Sequence, residues 1–140
     1  MKVITLWLAV DESTVENGCM RVIPGSQTTV AAALDQYEEV DRKQFLFGAR
    51  LRDQFVDEDK AVNLELKVGE CHFHDAWTIH GSNPNHSSKR RCGYTMRYMP
   101  ANVVHTLKGG GLPDTHKIYL LRGEDRTGGK NVYSPVPGDQ

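Results

Sequence analysis

The chain has 140 residues, of which 39 % are hydrophobic and 25 % are charged, which is the size and composition of a single folded domain. This composition excludes a mainly disordered, collagen-like or disulfide-dense chain. The sum of 17 Lys and Arg against 18 Asp and Glu leaves a formal net charge of -1, so no basic nucleic-acid-binding surface is indicated. No apolar run reaches the ~20 residues of a membrane-spanning helix. Neither nucleic acid nor a membrane is expected as a partner.

The apolar stretch at residues 3–10 has two interpretations. Its length suits the core of a secretory signal peptide. It is β-branched, contains Trp7, and runs directly into Asp11 without a small-residue cleavage site, which favours a strand buried on both faces. The three cysteines show no CxxC spacing, which is typical of free thiols in a reducing compartment, and a cytoplasmic location is expected.

Further along the chain, short strands dominate the predicted elements. Residues 62–68 alternate between apolar and polar side chains, as half-buried strands do. Residues 28–44 contain a run of alanines and predict a helix. In all, about six strands are predicted, over residues 3–9, 19–23, 62–68, 71–74, 78–82 and 92–99. Short strands separated by turn residues indicate a mainly β sandwich or jelly roll. The expected organisation is a core over 1–100 with an insertion at about 28–60, followed by an irregular arm over 101–140.

Three histidines lie close together between residues 72 and 80. Neutral imidazole is the commonest ligand of zinc and non-haem iron. His72 and His74 fall on one face of a strand, because side-chain direction repeats every two residues. Asp75 directly follows His74, and neighbouring strand residues point to opposite faces, so this pair does not chelate one metal. The segment indicates either metal ligands or histidines that only surround a site or lie at the surface.

The same segment continues as HGSNPN at 80–85 and is followed by Arg91. Ahead of it, in order, the chain has WLA at 7–9, ENGCM at 16–20, VIPGS at 22–26 and GE at 69–70. This ordered set resembles the C-terminal part of the phytanoyl-CoA dioxygenase family, which are iron(II)- and 2-oxoglutarate-dependent oxygenases. The resemblance extends to about residue 100 and implies a double-stranded β-helix of cupin type.

The resemblance implies a role for four residues. His80 would be an iron ligand, and Arg91 would pair with the far carboxylate of 2-oxoglutarate, a task that its planar donor fork suits. Ser82, on the same strand face as His80, would hydrogen-bond that carboxylate, and Trp7 would line the cosubstrate pocket. The alternatives are a surface charge for Arg91, a turn residue for Ser82 and plain core packing for Trp7.

One departure from the family pattern concerns the other iron ligands. The facial triad joins two histidines to one carboxylate, and in the family an H-x-D pair that supplies two of them precedes the tryptophan. No H-x-D precedes Trp7 here, and about six strands are fewer than the eight of a jelly roll. The chain is therefore expected to be a partial double-stranded β-helix, which alone binds no iron, turns over no 2-oxoglutarate, and self-associates through open sheet edges.

The leading functional hypothesis is a fragment of an oxygenase that hydroxylates a small molecule, with a halogenase as a variant of the same chemistry. A second hypothesis is a cupin-like metal-binding module that uses His72, His74 and His80 without 2-oxoglutarate. A third is a non-catalytic jelly-roll domain that serves in assembly. The substrate is not readable from the sequence.

Overall fold

The computed structural model describes residues 3–28, 36–43, 45, 48–105, 117–136 and 138. Within this part the chain is mainly β, as predicted, and no helix in it is long and apolar enough to span a membrane. Single turns of 3₁₀ helix cover Ser26–Thr28, Asp53–Phe55 and Glu58–Lys60. The strands are β1 (Ile4–Ala9), β2 (Met20–Val22), β3 (Tyr37–Glu39), β4 (Ala49–Leu51), β5 (Val62–Leu64), β6 (Cys71–Asp75), β7 (His80–Ser82) and β8 (Gly93–Tyr98).

The strands form two three-stranded sheets and one hairpin. The first sheet has the order β6-β1-β8 and the second the order β5-β2-β7, while β3 pairs only with β4. β1 is antiparallel to β6, and β2 is antiparallel to both of its neighbours. Each of the six predicted strands has an observed counterpart. The central strands β1 and β2 come from the start of the chain, and their partners come from residues 62–98, so every pairing in these two sheets is long-range.

β1 buries one face more completely than the other. Thr5, Trp7 and Ala9 are buried, whereas the residues that alternate with them are only half-buried. The prediction of a strand buried on both faces is therefore correct for one face only. The buried hydrophobic side chains of the described residues are few, namely Trp7, Ala9, Cys19 and Ile23. The core that they form lies on the side of β1 that carries the tryptophan.

The predicted helix over residues 28–44 is wrong where the structure describes it. Residues 37–39 form β3, which pairs antiparallel with β4, and the register places Glu38 opposite Arg50. The Nε atom of Arg50 lies 2.7 Å from Oε1 of Glu38. This pairing with a strand ten residues further along the chain cannot be read from residues 28–44 themselves, and it overrides their helix propensity. The alanine run at residues 31–33, on which the prediction rested, lies outside the described residues.

The chain divides into two compact units, of which one runs Val3–Arg97 and the other Tyr98–Gln140. The second unit, where an irregular arm is expected, is held by side-chain hydrogen bonds. Asp125 accepts hydrogen bonds from the backbone and hydroxyl of Thr127, from the Gly129 N–H and from the Tyr133 hydroxyl. These bonds lower the pKa of the Asp125 carboxyl, that from the Thr127 hydroxyl most of all.

The PGS turn at residues 24–26 fastens the chain that leads into β7. The Ile79 N–H donates to the hydroxyl of Ser26 (2.8 Å), and the Ile23 N–H donates to the Ile79 carbonyl (3.0 Å). Ser26 is buried, so its hydroxyl replaces water as the partner of the Ile79 amide. This turn therefore fixes the residue that directly precedes His80.

We expect Ser26→Ala to lower the free energy of unfolding by about 1–3 kcal/mol, because a buried N–H loses its acceptor. The midpoint of urea unfolding measures the loss. Thr28→Ala is the matched control, since the Thr28 hydroxyl donates to the Gly25 carbonyl in the same turn but is exposed, and its effect should stay within about 0.5 kcal/mol. Equal effects of the two variants would contradict the assignment.

Candidate active site

The four residues predicted to form the site lie on three strands or beside them. Trp7 is in β1, His80 and Ser82 are in β7, and Arg91 lies two residues before the start of β8. Trp7 and Arg91 are in contact, with the guanidinium carbon 5.8 Å from the centre of the indole ring. His80 and Ser82 are both exposed and share one face of β7. The structure thus places the four predicted residues as two pairs, and other side chains connect these pairs.

The connection is a row of aromatic rings that crosses from one sheet to the other. Trp7 and His72 are register partners on β1 and β6, and their rings stack at 5.7 Å with an interplanar angle of 14°. His72 and His74 follow each other along β6, with centroids 5.3 Å apart. His74 then meets His80 of the second sheet at 4.8 Å. We call Trp7, His72, His74 and His80 the ring row; Arg91 contacts its tryptophan end.

Burial keeps the inner histidines of the ring row uncharged. Loss of hydration lowers the pKa of His72, and it lowers the pKa of His74 to about 4, with the nearby His80 adding to both effects. Both rings are therefore neutral at neutral pH. Both ring nitrogens of His72 and Nδ1 of His74 are buried without a hydrogen-bond partner among the described residues. Buried polar atoms are ordinarily paired with protein, water or ligand, so the two inner histidines hold unsatisfied hydrogen-bonding groups in the middle of the ring row.

His80 is oriented as a metal-binding histidine is. Its Nδ1 atom lies 2.7 Å from the Thr78 carbonyl oxygen. A carbonyl oxygen only accepts, so Nδ1 carries the proton and Nε2 keeps a free lone pair. Metal-binding histidines characteristically donate their other N–H to such a carbonyl or to a carboxylate. The arrangement therefore fits one metal bond through Nε2.

The other histidines do not complete a metal centre with His80. Among the described residues, no group of three His, Cys, Asp or Glu side chains is arranged to hold a metal ion. The structure therefore gives no support to a metal module built from His72, His74 and His80, whose rings pack against one another. Asp75 is also engaged elsewhere, because its Oδ1 accepts the Trp77 N–H at 2.9 Å.

Arg91 is the half-buried cation of the site. Within the described part of the chain it forms no ion pair with a carboxylate, whereas its neighbour Arg90 is bound by Asp11. A half-buried guanidinium that lies against an indole face and lacks a carboxylate partner fits a planar anion. Its position therefore suits a carboxylate ligand near Trp7.

Gly93 is a site residue that the sequence analysis does not identify. A Cβ atom at this position would overlap the indole ring of Trp7, although the glycine itself is exposed. The tryptophan can therefore lie flat against β8 only because residue 93 has no side chain. A glycine inside a strand often marks such a close approach. The position of Gly93 within the predicted strand 92–99 was therefore the signal that could have identified it.

The first 93 residues match the family model described as phytanoyl-CoA dioxygenase (PhyH). A similar curated protein is the phytanoyl-CoA dioxygenase domain-containing protein 1 homolog of Dictyostelium discoideum. It is 31 % identical over 94 residues, which are 67 % of this chain and 34 % of that protein. The chain thus spans about a third of the length of this relative.

Two solved structures show the same fold. EvdO2 of Micromonospora carbonacea var. aurantiaca, complexed with 2-oxoglutarate, is 28 % identical with a TM-score of 0.60, over 70 % of this chain and 38 % of that one. The epimerase SnoN, in complex with Fe3+, alpha ketoglutarate and nogalamycin RO, is 25 % identical with a TM-score of 0.57, over 92 % and 49 % of the two chains. The predicted cupin-like, partial double-stranded β-helix is confirmed by this likeness. The match over residues 1–93 covers most of the chain, which therefore belongs to the phytanoyl-CoA dioxygenase family.

Proposed function

We propose that this chain is part of an iron(II)- and 2-oxoglutarate-dependent oxygenase that hydroxylates a small molecule. The observation that carries the proposal is the ring row. At one end it has an imidazole and at the other a guanidinium, and among the described residues neither the Nε2 atom of this imidazole nor the guanidinium has a carboxylate partner. A metal and a dicarboxylate bound to it need these two groups within one site. Two similar structures are complexes with 2-oxoglutarate or alpha ketoglutarate, one of them together with Fe3+.

His80 would hold the metal through Nε2, with its ring orientation set by the Thr78 carbonyl. Because the described residues contain no metal-binding group of three, the remaining ligands of a facial triad would come from elsewhere in the protein. When bound, iron(II) and 2-oxoglutarate supply the activation of O2 and release succinate and carbon dioxide from the cosubstrate. The contribution of the chain itself is to bind and orient these groups.

Arg91, Ser82 and Trp7 would hold the cosubstrate. Arg91 would donate two parallel hydrogen bonds to the far carboxylate, and Ser82 would donate a third. The indole ring of Trp7 would hold the guanidinium in place through a cation–π contact. His72 and His74 would lie beside the cosubstrate as neutral rings. They would exclude water without offering a second positive charge that competes with Arg91 for the carboxylate.

The 140-residue chain alone is proposed to be inactive and to self-associate. Within the part of the chain that the structure describes, the sheets β6-β1-β8 and β5-β2-β7 have three strands each. The outer strands of the first sheet carry the exposed side chains of Phe73 and Tyr94, both 59 % exposed. Unpaired edges beside exposed apolar side chains favour pairing with another copy. Light scattering at low micromolar concentration tests this, and a compact monomer would contradict it.

Metal removal tests the proposed function directly. In the full gene product, we expect 2-oxoglutarate to bind in the presence of iron(II) without oxygen, and a chelator to abolish most of that affinity. With oxygen, iron-dependent release of succinate should follow. Calorimetry measures the binding, and a succinate assay measures turnover. Cosubstrate binding that survives complete metal removal, or the absence of any binding, would contradict an iron- and 2-oxoglutarate-dependent oxygenase.

A further inference from the structure

The two residues that flank Arg91 are both held by one carboxylate, that of Asp11. Arg90 donates from Nε to Oδ2 of Asp11 (2.7 Å) and from Nη2 to Oδ1 (2.9 Å), which is a bidentate pair. The backbone N–H of Cys92 donates to the same Oδ2 atom at 2.9 Å. Asp11 thus bridges the positions immediately before and after the arginine that contacts Trp7.

The backbone completes the hold on this segment. The carbonyl of Cys92 accepts hydrogen bonds from the Val10 and Asp11 N–H groups, both at 3.0 Å. The buried side chain of Asn17 donates to the Arg90 carbonyl at 3.3 Å and to the Glu12 carbonyl at 2.8 Å. Residues 90 and 92 therefore have fixed positions relative to the end of β1, which also carries Trp7.

The side chains of Arg90 and Arg91 have different surroundings. Arg90 is directed outward to Asp11 and its side chain is 75 % exposed, whereas the guanidinium of Arg91 lies over the indole ring of the buried Trp7. The hydrogen bond from Arg90 also lowers the pKa of the Asp11 carboxyl, which stays ionised at neutral pH.

We propose that Asp11 is a positioning residue for 2-oxoglutarate, which holds residues 90–92 so that the Arg91 guanidinium meets the far carboxylate of the cosubstrate. The inference rests on the proposed function of Arg91. It assigns Asp11 no contact with the cosubstrate, because its carboxylate is occupied by Arg90 and Cys92. An exposed ion pair alone is worth little, so most of the effect should come through the part-buried bond to the Cys92 amide.

The test compares two 2-oxo acids in the iron(II)-loaded gene product without oxygen. Pyruvate carries the 2-oxo acid group but lacks the far carboxylate, so its affinity does not depend on where Arg91 points. We expect Asp11→Ala, which removes the acceptor of the Cys92 N–H, to weaken 2-oxoglutarate binding about five-fold, the effect of one hydrogen bond, and to leave pyruvate binding within about two-fold. Glu16→Gln is the matched control, since it removes an exposed ion pair with Lys89, in the same segment as Arg90, and should change neither affinity.

A double variant separates positioning from general loss of structure. If Asp11 acts through Arg91, Asp11→Ala should add no further loss of 2-oxoglutarate affinity to that of Arg91→Ala. Equal losses for pyruvate and 2-oxoglutarate, or losses that multiply in the double variant, would overturn the inference. Arg90→Ala keeps the Asp11–Cys92 bond and provides a second variant if Asp11→Ala does not fold. It should weaken 2-oxoglutarate binding less than Asp11→Ala does and leave pyruvate binding unchanged. Equal affinities of Arg90→Ala and the wild type for 2-oxoglutarate would also overturn the inference. Failure of the wild type to bind 2-oxoglutarate would instead refute the proposed function.

Discussion

His80→Ala is expected to lower the iron(II) affinity of the full gene product by more than about 100-fold. Removing a group that merely orients a metal ligand already costs about 10- to 100-fold, and this substitution removes the ligand itself. The Thr78 carbonyl holds the imidazole so that Nε2 is free. His74, which packs against His80 at 4.8 Å, is itself buried and is not positioned to take its place without movement.

Competition with a chromophoric chelator under anaerobic conditions measures this change. His86→Ala is the matched control, because it removes an exposed imidazole from the loop that follows β7 and lies outside the ring row. The control should retain wild-type affinity. An unchanged iron affinity in His80→Ala would show that the metal is held elsewhere, and it would remove the central assumption of the proposed function.

Arg91→Ala should weaken 2-oxoglutarate binding by roughly 10- to 150-fold, since hydrogen bonds to charged groups are worth about 1.5–3 kcal/mol. The guanidinium is half-buried against Trp7 and forms no carboxylate pair within the described residues, so its full hydrogen-bonding capacity is available to an anion. The 2-oxoglutarate affinity of Arg91→Lys should lie between those of the wild type and Arg91→Ala, because an ammonium group keeps the positive charge but lacks the planar donor fork.

Calorimetric titration of 2-oxoglutarate into the anaerobic iron(II) protein measures the loss. Lys89→Ala serves as the control: it removes a positive charge two residues away, but that charge is exposed and paired with Glu16. If Lys89→Ala and Arg91→Ala weakened binding equally, the effect would be one of net charge. Arg91 would then be a surface charge rather than a cosubstrate ligand.

The sequence predicted those parts of the fold that depend on local pattern. The apolar run that became β1 and the same-face pair His72 and His74 on β6 follow from side-chain periodicity alone. The family resemblance singled out Trp7 and Arg91, which the structure brings into contact. The strand at 37–39 was missed because its pairing with 49–51 is tertiary and outweighs the local preference for helix.

The less predictable parts depend on contacts between distant segments. The approach of His74 to His80 joins two sheets whose packing no local pattern specifies. Asp11 reads as an ordinary turn residue, and only the pairing of residues 10–11 with Cys92 places its carboxylate beside Arg90. Such residues can be found from a sequence only through the fold that brings them together.

At Gly93, accessibility to solvent and tolerance of substitution are separate properties. The residue is exposed on β8, a location where most replacements are harmless. Yet every other amino acid has a Cβ atom, and this atom would enter the volume of the Trp7 indole. In a saturation-mutagenesis survey, position 93 should therefore resemble a core position in its narrow range of accepted residues. A change at residue 93 would become acceptable only together with a smaller side chain at residue 7, so the two positions constrain each other in evolution.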